Sequence, residues 1–298
     1  MNPNPFLKKL GLAQTDRAVI IHTDDIGMCQ ASSAAFADLV DFGLISSGAT
    51  MVPCSWFPQV AAYCRAHPNA DLGVHLTLTS EWNTYRWGPI STRDPATGLM
   101  DEEGYLHRTS KATQEHADPA AVQVELQSQL ARALEAGIDV THIDTHMGTV
   151  AHPKFVPTYI QLALQHRIPA MIPRLDAERF QQMGMDKDTA VALAQSIEQL
   201  ESQGVPLLDH LEGMPLDQPK DRIEQAKHKL SNLPAGVTHF VIHPSIDTPE
   251  LRAITPDWPS RVADYQAFTS EELRTYVQSI GIHVIGYRAL RGAWRGLQ

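Results

Sequence analysis

Cysteine is scarce: Cys29, Cys54 and Cys64 are the only three in 298 residues, and no two stand in a C-x-x-C spacing. An odd set without that spacing argues against a disulfide framework and a thiolate zinc site, and leaves three small core residues. Long apolar runs are missing as well. Nothing approaches the roughly 18 residues that a membrane span needs, and the start, MNPNPFLKKLGLAQTDR, has no apolar stretch of the signal-peptide kind. The chain therefore reads as soluble and cytoplasmic, with no membrane partner. Positive charge is in deficit: 24 Lys and Arg against 34 Asp and Glu leave a net charge of −10, which opposes a nucleic acid as partner. No internal repeat, low-complexity tract or Ser/Gly linker divides the sequence, which predicts one domain over residues 1–298.

What is present is an alternation of short β-branched runs with longer stretches of helical period, the pattern of βα units around a parallel sheet. Strands are expected at 18–23, 48–52, 72–76, 140–144, 169–172, 205–209, 237–243 and 282–285. Helical stretches fall at 30–42, 56–66, 119–136, 154–166, 187–203, 219–231 and 269–280. Asp118 before Pro119 gives an N-cap followed by a proline at the first helical position, and Gly137 and Gly204 end helices. Residues 80–118, rich in Gly, Pro, Thr and aromatics, are too long for a plain βα loop and read as an insertion over one end of a barrel.

Polar residues that no core requires recur at the carboxyl ends of the expected strands, where parallel α/β barrels assemble their sites. They are Asp24 and Asp25 after the first, His75 in the third, His142, Asp144 and His146 around the fourth, and His243 after the seventh. In an extended chain His142, Asp144 and His146 share one face, and imidazole plus carboxylate suits zinc and related divalent ions. Two adjacent acids cannot both point inward from a regular strand, so the chain is expected to turn at Asp24-Asp25, with Gly27 helping. One acid can then hold a metal while the other acts as a base, although Asp is also a common helix N-cap.

These motifs, Thr23-Asp24-Asp25-Ile26-Gly27, Gly73-Val74-His75-Leu76, His142-Ile143-Asp144-Thr145-His146 and Ile242-His243-Pro244, occur in the order found in the YdjC-like (ChbG/HpnK) carbohydrate deacetylases, which the chain resembles from about residue 18 to 290. The resemblance implies a distorted (β/α) barrel of the glycoside hydrolase/deacetylase type. It also implies a divalent-metal hydrolase that removes acetyl groups from N-acetylated sugars such as chito-oligosaccharides. Carried over by motif, Asp25, His75 and His146 match metal ligands, Asp24 the general base and His243 the general acid. Asp144 would orient His146 or His142 through a ring nitrogen. Softness of the ligands favours zinc, with magnesium or manganese as alternatives, and a homodimer is compatible with the resemblance.

Two departures bear on the substrate. Met147-Gly148-Thr149 stand where many relatives carry further histidines, with His152 as a candidate replacement, and His243-Pro244 continues into Ser245 rather than glycine. In the insertion, Trp82, Tyr85 and Trp87 can stack on a sugar or pin the segment to the barrel. Arg174 can bind substrate or pair with a neighbouring acid. Two other readings stay open: another metal-dependent amidohydrolase or phosphoesterase, for which no phosphate-binding motif stands beside the ligands, and a carbohydrate-binding barrel without catalysis.

Overall fold

The run Ala18–Ile21 is wholly shielded on both faces, the signature of a parallel strand with helices outside and a filled barrel inside. A computed structural model describes residues 3–296. In chain order the elements begin with α1 (Pro5–Lys9), β1 (Arg17–Ile26), α2 (Gln30–Phe42), β2 (Ser47–Thr50), α3 (Phe57–Ala66) and β3 (Leu72–Leu76). After the long segment come α4 (Ser110–His116), α5 (Pro119–Glu135), β4 (Ile143–Thr145), α6 (Val156–His166), α7 (Ala177–Gln182) and α8 (Lys187–Ser202). The last third holds β5 (His210–Gly213), α9 (Arg222–Ser231), β6 (Gly236–Ile242), α10 (Pro249–Ile254), α11 (Trp258–Phe268), α12 (Glu271–Ser279), β7 (His283–Val284) and α13 (Tyr287–Arg295).

All strand pairs are parallel and the sheet runs β4-β3-β2-β1-β6-β5, with β7 beside the start of β1. Two single bridges, Ile143 with Ala170 and Pro173 with Leu208, carry the chain from β4 round to β5 and close the distorted barrel. The expected strand at 169–172 is reduced to those bridges because Pro169 and Pro173 have no N–H to continue a ladder. The expected strand at 205–209 likewise moves on to β5, past Pro206, and that at 282–285 shrinks to two residues. The fourth expected strand shifts from 140–144 to β4.

Local signals fix the helix ends. Asp118 accepts from Ala120 N at 2.7 Å to cap α5, and Gly137 and Gly204 take the left-handed conformation after α5 and α8. The three cysteines are free and buried. The segment between β3 and α5 packs on the barrel's own core through Trp82, Trp87, Leu99 and Leu106. Glu125 of α5 holds it by accepting from Ile90 N and Ser91 N at 3.1 and 2.8 Å. No helix among the described residues is long and apolar enough to cross a membrane.

Candidate active site

β1 ends irregularly, and this brings two acids to one place. Its register against β2 shifts between Thr23 and Ile26, Asp25 has φ 59°, and Gly27 follows at φ 87°. The N-cap alternative for these acids does not apply, because α2 is capped at Cys29. His75 arrives from β3. His146 arrives just past β4, where Met147 and Gly148, at φ 52° and 66°, turn the chain away.

Asp25, His75 and His146 converge as a buried set able to hold a metal ion. His75 Nε2 and His146 Nδ1 lie 3.5 and 3.2 Å from Asp25 Oδ1, and 3.3 Å from each other. Each of the three is held from its far side. His75 Nδ1 pairs with Asp144 Oδ1 at 2.8 Å, His146 Nε2 with Glu81 at 3.1 Å, and Asp25 Oδ2 accepts from Arg261 Nη1 at 2.7 Å. With those partners made, His75 Nε2, His146 Nδ1 and Asp25 Oδ1 gather within 4.8 Å of one another, and Asp25 Oδ1 has no hydrogen-bond partner. That donor set, with carboxylates behind both imidazoles, fits a divalent cation.

The electrostatics agree. Burial disfavours ionised Asp25, yet Arg261 and the two imidazoles hold its carboxyl well below the usual range. Burial likewise disfavours imidazolium at His75 and His146. Asp144 and Asp24 nevertheless push His75 well up, and Glu81 and Asp25 raise His146 to about 9. The pocket thus attracts positive charge.

Asp24 sits beside this set. Its Oδ1 pairs with His22 Nδ1 at 2.8 Å, and its Oδ2 is 3.7 Å from His75 Nε2 and 3.8 Å from His243 Nε2. Burial raises its carboxyl, but His75, His22 and His243 together hold it well below the ordinary range. His243 keeps an 18 % exposed side chain, so it faces both Asp24 and the approach from solvent. Its backbone N–H donates to Asp264 at 3.0 Å, which is tied in turn to Arg222 at 2.7 Å.

Other expected positions fall elsewhere. Asp144 orients His75 rather than His146 or His142. His142 lies deeper, with Nε2 2.7 Å from His22 Nε2 and its ring stacked on Tyr287 at 3.9 Å. Arg174, expected as a substrate contact or an ion pair, makes the ion pair: it is 3 % exposed and meets Asp209 and Glu201, each at 2.7 Å. Trp82 packs against Trp87 and under the Arg261 guanidinium, so a sugar would find little of its ring. Tyr85 donates to Met28 O. His152 accepts from Lys154 N and packs beside Phe155. Glu81, Arg261 and His22 were not singled out by the sequence. Only His22 has a local signal there, an imidazole inside an apolar strand two residues before the acid pair.

Residues 18–279 match the family model described as YdjC-like protein. A carbohydrate deacetylase of Thermus thermophilus is 33% identical over 288 residues, covering 97% of this chain and 98% of its own length. One from Thermoanaerobacter pseudethanolicus is 21% identical over 273 residues, 92% of this chain and 99% of its own. Among solved structures, an Enterococcus faecalis protein titled as a candidate for cellobiose-phosphate cleavage superposes with a TM-score of 0.73 at 20% identity. That alignment covers 92% of this chain and 99% of the other, and it supports the fold.

Proposed function

The chain belongs to the YdjC-like family and is a hydrolase of the carbohydrate deacetylase type, and we propose that it removes acetyl groups from N-acetylated carbohydrates of the chito-oligosaccharide kind at the Asp24–Asp25–His75–His146–His243 cluster. One observation carries this reading: three candidate ligand atoms lie within 4.8 Å of one another, each group braced from behind, with an ionised acid alongside. Asp25, His75 and His146 would hold a divalent ion, zinc by the softness of two imidazoles. Such an ion supplies Lewis acidity, lowering the pKa of water and offsetting charge on a carbonyl oxygen.

The chain's own groups do the rest. Asp24, ionised and aimed by His22, takes a proton from water as it attacks the acetamide carbon. The C–N bond then breaks, and the amine departs with a proton supplied by His243, leaving acetate and a free amino sugar. Asp144 and Glu81 keep the imidazoles in the tautomers that present a lone pair. Acid–base help of this kind contributes about 10²–10⁴-fold.

The test is elemental analysis of purified wild type, Asp25→Ala and Asp24→Asn, paired with acetate release from N-acetylglucosamine oligomers. The expected result is about one ion per chain in wild type and Asp24→Asn, loss of it in Asp25→Ala, and acetate release in wild type alone. A wild type that takes up no zinc, manganese or magnesium, or releases no acetate from any N-acetylated sugar offered, overturns the reading.

A further inference from the structure

Beneath the site the barrel interior holds three polar groups, His142, Thr141 and Asp71, that the mechanism above does not use. Four hydrogen bonds run in a row from the acid at the site to an acid beside the amino end of β3. Asp24 Oδ1 meets His22 Nδ1 at 2.8 Å, and His22 Nε2 meets His142 Nε2 at 2.7 Å. His142 Nδ1 meets Thr141 Oγ1 at 3.0 Å, and Thr141 Oγ1 meets Asp71 Oδ1 at 2.5 Å. His22, Thr141 and His142 are wholly buried.

The packing leaves these groups little freedom. Tyr287 stacks flat on His142, and His239 lies 4.5 Å from the His22 ring. A Cβ on Gly73 would fall 2.5 Å from the His142 ring, so that glycine makes room for it. At the far end Asp71 also accepts from Ser47 Oγ at 3.0 Å and from Arg288 N at 2.7 Å. A Cβ on Gly286 would lie 2.2 Å from its Oδ2.

Counting protons gives this row a direction. Four hydrogen bonds need four protons, and two neutral imidazoles with one hydroxyl bring three. A base ready to act is ionised, so the fourth proton is not on Asp24. Placed on Asp71, it makes every bond point toward Asp24. Placed on either imidazole, it makes the bonds run outward from that ring. Burial raises the Asp71 carboxyl, while the hydrogen bonds it accepts from Thr141, Arg288 N and Ser47 lower it, and either placement is compatible with the geometry. In both, His22 Nδ1–H donates to Asp24.

Resting on the reading of Asp24 as the base, we propose that His22, His142 and Thr141 are positioning residues that aim Asp24 through one continuous hydrogen-bonded file anchored on Asp71. The file fixes which oxygen of Asp24 is engaged and leaves Oδ2 directed at His75 and His243, where water and substrate meet. Thr141 acts across two rings without touching the site.

The experiment has two arms on the full chain as purified. In the first, nitrogen NMR of histidine-labelled protein, with His22→Asn and His142→Asn used for assignment, is expected to find a proton on His22 Nδ1. An unprotonated His22 Nδ1 overturns the proposal. So does a metal-coordination shift at His22, which would mean that His22, Asp24, Asp144 and His239 hold a second cation instead. In the second arm, Thr141→Val, nearly isosteric, is expected to lower kcat for acetate release about tenfold at unchanged KM and metal content, and Thr141→Ser to recover most of it. An undiminished kcat in Thr141→Val, or a loss confined to KM, overturns the proposal. If wild type releases no acetate, the functional reading falls, and the NMR arm alone decides whether the file exists.

Discussion

Arg261 of α11 donates from Nη1 to Asp25 Oδ2 at 2.7 Å across 236 residues of sequence, and both side chains are 3 % exposed. The same guanidinium is held on its other edge by Asp257, 2.7 Å from Nε. Asp25 is therefore fixed by a cation on one oxygen while the other faces the two imidazoles. Replacing Arg261 by Met leaves Asp25 buried with one fewer partner. The expected outcome is a loss of about 3–5 kcal/mol in urea unfolding of the metal-free protein, since breaking a buried pair strands its partner. Arg261→Met with wild-type stability would show that Asp25 does not depend on this pair.

Glu81 plays the matching part behind His146. Its carboxylate lies 3.1 Å from His146 Nε2 and fixes which ring nitrogen carries the proton. Glu81→Ala is expected to weaken zinc binding about 10–100-fold in titration calorimetry of metal-stripped protein, with Glu81→Gln intermediate because it keeps an oxygen acceptor. Equal affinities in all three proteins would remove Glu81 from the account.

Asp24, Asp25, His75, His146 and His243 stand out as sequence because polar residues after apolar β-runs have no packing reason to be there. Their convergence follows from the barrel rule that strand carboxyl ends meet. Arg261 and Glu81 carry no such mark. Arg261 falls in a stretch, 244–268, where the sequence analysis expects no element, and its burial depends on how α11 (Trp258–Phe268) packs against the end of β1. Glu81 opens a segment without periodicity. The strands divide in the same way. β1, β3 and β6 were legible as continuous apolar runs, whereas Pro169 and Pro173 reduce an equally apolar stretch to single bridges.

Gly73 lies two residues before His75 in the same motif, and its reason is spatial. Its missing side chain is replaced by the His142 ring, whose atoms would lie 2.5–2.6 Å from a Cβ there. Gly73→Ala is expected to cost about 1–3 kcal/mol in urea unfolding, the usual penalty of forcing a methyl into a filled core. Its zinc affinity should fall less than that of Asp25→Ala, because the proposed ligands themselves are untouched. An unchanged unfolding midpoint would mean that the His142 ring can move aside freely.

Asp139 ties α13 to the approach to β4, and its effect should depend on pH. Arg291 grips both of its oxygens at 2.6 and 2.8 Å and also donates to Val140 O at 2.8 Å, while Arg288 joins from one side. The Arg291 hydrogen bonds, opposed by burial and aided by Arg288, hold the Asp139 carboxyl at about 2, below its ordinary 3.8. A carboxyl depressed by folding stabilises the fold fully above its unfolded value and loses that contribution as pH falls through its folded value. Asp139→Asn should therefore melt below wild type at pH 7, and the gap should close between about pH 4 and pH 2. Because the acid's side chain is 52% exposed, solvent screening limits the difference to about 1 kcal/mol or less. A gap that stays constant down to pH 2 would show that the variant acts through packing at the start of β4 and not through the charge on Asp139.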